Sequence, residues 1–182
     1  MSHIGVVLVG GKGTRLKNLT KNQAKPLLQI NEKPFLDYLL YYICSYKFKK
    51  IYLICSYKYT NFFDRYHNKI ILGVKIICIN ESTPKGTAGA LYHLKTKIKN
   101  NFFLFNGDSF FPIDLDNFYN FSINQNKIIS IACSKNKNYK SNFNLQGSGK
   151  ILIVDDQSFN IDALLIILKY QIGINTTQTC EH

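Results

Sequence analysis

The chain has 182 residues, 46% hydrophobic and 19% charged, with a formal net charge of +12. That length and balance suit one ordinary globular domain with a real core, and they exclude wholesale disorder. No apolar run approaches membrane-spanning length, and the stretch 4–9 is too short for a signal-peptide core, so a cytoplasmic location with no membrane partner is expected.

Residues 4–9 are continuously apolar and β-branched, as expected of a strand buried on both faces of a parallel sheet. Gly10-Gly11-Lys12-Gly13 stops it. From Pro34 the period becomes helical, with Leu36, Leu39, Leu40 and Ile43 on one face. Further strands are predicted over 51–55, 74–79, 102–105 and 128–133, with a short helix over 61–66. A helical stretch follows Lys85-Gly86, carrying Ala88, Leu91, Leu94 and Ile98. Strands alternating with helices of this length predict βαβ units: an α/β, Rossmann-like, mostly parallel sheet with helices on both faces. Residues 134–141 read as a polar loop, 143–145 and 151–154 as arms of a hairpin around Gln146-Gly147-Ser148-Gly149-Lys150, and 159–170 as a terminal helix.

The positive charge is nearly all lysine, Arg15 and Arg65 being the only arginines, and it is scattered rather than gathered into a tract. Such a surface attracts nucleotides and sugar phosphates and counts against a nucleic-acid partner, although a basic nucleic-acid-binding protein stays as the weakest alternative. The five cysteines are widely spaced with no C-x-x-C pair, which fits neither a zinc site nor a disulfide framework. Cys44, Cys55, Cys78 and Cys133 lie in apolar stretches and are expected to be small buried hydrophobes.

Three polar motifs fall at strand ends, at 10–16, 81–90 and 106–108, where ligands of open α/β sheets gather. Leu8-Val9-Gly10-Gly11-Lys12-Gly13-Thr14-Arg15-Leu16 joins a strand to a glycine-rich turn bearing two cations. Backbone amides there can approach phosphate oxygens closely, and a guanidinium can fork onto them. The run is neither a Walker loop nor a G-x-G-x-x-G fingerprint. Asn106-Gly107-Asp108 ends a buried strand with a carboxylate, a hard ligand suited to Mg²⁺.

These residues, with Lys25-Pro26-Leu27, Lys33-Pro34-Phe35-Leu36-Asp37-Tyr38, Glu81 through Pro84-Lys85-Gly86-Thr87-Ala88-Gly89-Ala90, and Phe105-Asn106-Gly107-Asp108-Ser109-Phe110, resemble the sugar-phosphate nucleotidyltransferase family across about residues 1–133. Within it the chain is similar to heptose-1-phosphate and mannose-1-phosphate guanylyltransferases. Val9 stands where alanine is usual and Lys85 where leucine is common.

The resemblance implies a nucleotidyl group transferred to a sugar 1-phosphate, with pyrophosphate released and Mg²⁺ as cofactor. It assigns Arg15 and Lys25 as catalytic cations. Leu8, Gly10, Gly11, Gly13, Thr14, Glu81, Gly86 and Thr87 become nucleotide-binding residues, and Asp108 the metal ligand. Glu81, an acceptor only, matches the adjacent N–H donors of guanine, which favours GTP. A catalytically inactive nucleotide-binding or regulatory module is the alternative, and homo-oligomerisation is left open. The family's E-K-P-like motif and second metal-binding aspartate have no match, so 1–149 is expected to be a nucleotidyltransferase domain incomplete on its C-terminal side. Residues 150–182 resemble the first strand and helix of a response-regulator receiver, with Asp155 and Asp156 after the strand, or else form a closing hairpin and helix.

Overall fold

The computed structural model describes residues 3–11, 20, 22–82, 86–125, 129–132, 144–146, 151–154 and 175–177. Four stretches with apolar residues on both alternating faces become four of the five inner strands: β1 (His3–Leu8), β4 (Phe48–Cys55), β6 (Val74–Asn80) and β7 (Phe102–Asn106). Between β1 and β4 lie a single 3-10 turn, Lys25–Leu27, and a small hairpin of β2 (Gln29–Ile30) and β3 (Lys33–Pro34). Asn31 and Glu32 both take positive φ at its tip, the twist that two-residue hairpins favour. Helix α1 (Phe35–Cys44) follows, then α2 (Tyr59–Tyr66) after β4 and the short β5 (Ile70–Ile71) before β6. Helix α3 (Gly86–Tyr92) precedes β7. After it come α4 (Leu115–Asn124), β8 (Ile129–Ala132), β9 (Asn144–Gln146), β10 (Ile151–Val154) and β11 (Asn175–Thr177).

The main sheet has seven strands in the order β5-β6-β4-β1-β7-β10-β8. All neighbours run parallel except the edge pair β5–β6. The expected hairpin across 143–154 does not form. β9 pairs antiparallel with β11, while β10 enters the sheet between β7 and β8. An apolar run such as Ile151-Leu152-Ile153-Val154 satisfies its backbone equally well in either setting, and a doubly covered parallel position suits it better than an exposed ribbon. The loop over 134–141, the helix over 159–170, and Cys133, Asp155, Asp156 and Cys180 lie outside the described residues.

Period-two alternation divides the core into two layers. On one face Val7, Val9, Ile51, Leu53, Cys55, Phe103 and Phe105 pack with Leu36, Leu40 and Ile43 of α1, Phe62 and Tyr66 of α2, and Leu115 of α4. On the other, Val6, Tyr52, Ile54 and Leu104 pack with Ala90, Leu91 and Leu94 of α3 and the turn after it. Cys44, Cys55 and Cys78 are buried and free, as expected of small hydrophobes, and burial pushes the Cys44 thiol up to about 12. Among the described residues no helix is long and apolar enough to cross a membrane.

Helix α4 was not anticipated. Asp114 caps it by accepting from the Asn117 amide at 2.9 Å. Its neighbouring loop is fastened by Tyr42 of α1, whose hydroxyl donates to the Ile113 carbonyl and accepts from the Ile113 amide.

Two groups make stability depend on pH in one direction. His3 is enclosed by the rings of Phe48, Phe103 and Tyr119. Burial lowers its pKa from 6.5, against the raising influence of Asp116. The fold therefore prefers neutral His3, and the unfolded chain binds the extra proton as pH falls through 6.5. Asp37 is held below its ordinary 3.8: desolvation, the largest single influence, raises it, but hydrogen bonds from Arg65 and Tyr66 with the Arg65 and Lys69 charges together outweigh that. Its contribution is present above 3.8 and lost as pH drops further. Urea midpoints are expected to be level between about pH 7.5 and about 8.5, to fall above that as the unfolded thiols ionise, to fall below 6.5, and to fall again near 3.8. His3→Phe should flatten the first decline and leave the second.

Candidate active site

Chain order in the sheet runs from β1 outward through β4 to β6, then returns to β7 on the other side of β1. β1 and β7 therefore flank a switch point, and the crevice beyond their carboxyl ends is where such sheets bind ligands. β1 delivers Val9, Gly10 and Gly11 to this edge, and β7 delivers Gly107 and Asp108.

The two strand ends are stitched together. Leu8 pairs with Asn106 in register, and the Gly107 amide donates to the Leu8 carbonyl at 2.9 Å. On the other side Val9 donates to the Ile54 carbonyl at 3.0 Å, and Ser56 Oγ donates to the Gly10 carbonyl at 3.0 Å. A Cβ on Gly107 would lie 2.4 Å from Val9 Cγ1 and 2.6 Å from the Leu8 carbonyl oxygen. Only glycine lets β7 turn this close to β1. A Cβ on Gly11 would instead meet nothing within 4 Å among the described residues, so there its missing side chain relieves no clash.

The two glycines are thereby expected to separate in experiment. Gly107→Ala should lower stability by about 1–3 kcal/mol, the usual range for overpacking, read from urea midpoints. Gly11→Ala should leave the midpoint unchanged, because no described atom lies where the new methyl would go.

Lys25 arrives from the 3-10 turn. Ala24, Pro26 and Leu27 are buried, the Leu27 amide donates to the Ala24 carbonyl at 2.9 Å, and Gln23 Nε2 donates to the Leu27 carbonyl at 2.6 Å. With its neighbours anchored, Lys25 projects its side chain to the crevice. Its Nζ lies 2.8 Å from Asp108 Oδ2, across 83 positions of sequence. The side chains are 37% and 31% exposed respectively, so the pair is screened by water and open to a ligand.

Glu81 follows β6 directly. It is only 6% exposed, and its amide donates to the Cys55 carbonyl at 2.7 Å. Its backbone thus continues the β4–β6 ladder to the same edge of the sheet. Gly86 and Thr87 open α3. Gly13, Thr14 and Arg15 lie outside the described residues.

Sequence reasoning passed over the segment that follows β4. Ser56 holds Gly10, the Tyr57 hydroxyl donates to the Thr20 carbonyl at 3.3 Å, and Lys58 Nζ donates to the Asn22 carbonyl at 2.8 Å. Three successive side chains hold both approaches to the stretch 12–19. Their position at the carboxyl end of a parallel strand was the available signal.

The donor set bears on metal binding. Asp108 presents hard carboxylate oxygens at a half-exposed strand end, with Ser109 Oγ 3.4 Å from Oδ1. No group of three or more His, Cys, Asp or Glu able to hold a metal occurs among the described residues. The Asp108 carboxylate, a hard oxygen donor beside a crevice, fits a divalent cation that completes its shell with waters and phosphate oxygens.

A nucleotide-type α/β sheet with a cation and a carboxylate converging at its switch point defines the class. The chain belongs to the nucleotidyl transferase family, whose model matches residues 4–143. It is 39% identical over 123 residues to the D-glycero-alpha-D-manno-heptose 1-phosphate guanylyltransferase of Campylobacter jejuni, covering 68% of this chain and 54% of that protein. It is 38% identical over 111 residues to the mannose-1-phosphate guanylyltransferase of Mycobacterium tuberculosis, covering 60% and 31%. The crystal structure of HddC from Yersinia pseudotuberculosis complexed with GMP-PN superposes with a TM-score of 0.62 at 31% identity, covering 71% of this chain and 58% of that one. The chain thus spans about half the length of the curated heptose-1-phosphate guanylyltransferase it matches.

Proposed function

We propose that this chain carries the nucleotide half of a cytoplasmic sugar-1-phosphate guanylyltransferase, using GTP and Mg²⁺. The observation that carries the reading is the convergence of Lys25 and Asp108 at 2.8 Å beside the stitched ends of β1 and β7. An oxygen of the sugar phosphate attacks the α-phosphorus of the nucleotide, the bond to the β-phosphate oxygen breaks, and pyrophosphate leaves. Such a displacement needs position and charge neutralisation more than proton transfer.

The amides around Gly10, Gly11 and Gly13, with Thr14, cradle the phosphates, and Leu8 belongs to the same nucleotide site. Arg15 holds the leaving pyrophosphate. Lys25 neutralises charge growing on the α-phosphate, where nucleotide and sugar phosphate meet. Gly86 and Thr87 belong to the nucleotide site at the start of α3, with Gly86 allowing close approach. Asp108 would hold the metal, which when bound neutralises phosphate charge.

Glu81 selects the base: its two carboxylate oxygens complement guanine N1–H and N2–H side by side, whereas uracil presents one donor between acceptors. Glu81→Gln is expected to reduce the preference for GTP over UTP about tenfold, the worth of one charge-assisted hydrogen bond, as read from competition binding.

The test is pyrophosphate release across a panel of nucleoside triphosphates crossed with sugar 1-phosphates. Release with GTP and a hexose or heptose 1-phosphate is expected. Thermal protection by GTP with no release on any acceptor would favour a binding module instead.

A further inference from the structure

Both oxygens of Asp108 are engaged. Lys25 Nζ sits 2.8 Å from Oδ2, and Ser109 Oγ lies 3.4 Å from Oδ1. A divalent cation brought to the carboxylate oxygen that Lys25 holds is opposed by the ammonium, by crowding and by like charge. The same contact also occupies Lys25, whose ammonium has a fixed number of donors and is partly neutralised where it rests.

The contact is built to open. Lys25 sits among the buried neighbours Ala24, Pro26 and Leu27, which fix its backbone. Both partners are about one-third exposed. Pairs this wet are weak, worth a factor of about five or less in an equilibrium. A phosphate entering the crevice offers the ammonium a second anion with more charge and more acceptor oxygens than the carboxylate.

We propose that the Lys25–Asp108 pair is a latch, in which each residue masks the other until a phosphate-bearing substrate draws the lysine away and frees the carboxylate for its metal. The proposal rests on the reading of Asp108 and Lys25 given above and adds a coupling between them. Metal and phosphate then tighten each other's binding through one side chain, reciprocally.

A double-mutant cycle without metal isolates the latch. GTP affinity is measured by titration calorimetry in EDTA for the full chain, Lys25→Met, Asp108→Asn and the double variant, with thermal melts to verify that each is folded. Asp108→Asn should bind GTP about three- to fivefold more tightly than the unaltered chain, because Lys25 is released. In the Lys25→Met background the same change should yield no gain. Simple relief of repulsion between Asp108 and phosphate would instead give the same gain in both backgrounds.

With Mg²⁺ present the order should reverse, Asp108→Asn binding more weakly than the unaltered chain. An additive cycle, or no gain in EDTA, overturns the latch and leaves the site reading intact so long as the unaltered chain binds GTP more tightly with Mg²⁺. Absence of any GTP binding with Mg²⁺ overturns both.

Discussion

Asp108→Asn is expected to lower Mg²⁺-dependent pyrophosphate release by about a thousandfold, the upper end for losing one preorganised electrostatic contact, without unfolding the protein. The amide keeps the size and shape of the carboxylate but loses the charge that binds a hard cation. The side chain is part-exposed, its ion pair with Lys25 is screened, and the turn is held by the Gly107 amide on the Leu8 carbonyl, a backbone contact the substitution does not touch. Stability should therefore shift by no more than about 1 kcal/mol, since the lost pair was worth at most that. Initial rates over a series of Mg²⁺ concentrations, with urea midpoints alongside, check both halves. A rate within a few-fold of the unaltered chain would remove Asp108 from the chemistry.

Phe103→Ala should have the largest effect on folding, about 3–5 kcal/mol, the usual cost of deleting a buried aromatic ring. Phe103 is 1% exposed at the centre of the sheet. Its ring meets those of His3, Phe48, Phe105, Phe118 and Tyr119, joining β1, β4, β7 and α4. No neighbour can collapse into the space without breaking other ring contacts, so most of the cavity persists. Against a typical total of about 5–15 kcal/mol, that loss brings the chain close to unfolding at 37 °C. A urea titration at 25 °C measures it directly. The site follows, because Phe103 belongs to the strand whose end carries Asp108.

The contrast between these two positions shows which features could be read in advance. Phe103 and Asp108 were both legible, one as part of a continuous apolar run and one as the carboxylate that ends it. β1, β4, β6 and β7 are recognisable for the same reason: strands covered on both faces need apolar residues at every position, and Ile51-Tyr52-Leu53-Ile54-Cys55 supplies them. Helix α1 announced itself by Leu36, Leu39, Leu40 and Ile43.

Helix α4 did not, because Leu115 and Ser122 are its only buried residues and aromatic and polar side chains alternate between them without a clean stripe. Its real signal was local, Asp114 placed to cap the Asn117 amide. β10 failed differently. Its four apolar residues declare a strand, but which neighbours it joins depends on β7 and β8, and no local pattern encodes that choice.

Among the candidate residues, the glycines, Glu81 and Asp108 were visible at strand ends and Lys25 through the family resemblance. The direct contact of Lys25 with Asp108 was not. The contact between Lys25 and Asp108 spans 83 positions and arises only when β7 docks beside β1. Ser56 was invisible because a serine after a strand has many local uses, and only the closed sheet brings it to the Gly10 carbonyl.

A crystal structure of the chain grown with a non-hydrolysable GTP analogue and Mn²⁺ would test the central claim most directly, since the ion can be located by its anomalous scattering. The account predicts a manganese peak on the Asp108 carboxylate, with the phosphates lying over Gly10 and Gly11. Nucleotide or manganese bound away from the ends of β1 and β7 would contradict it.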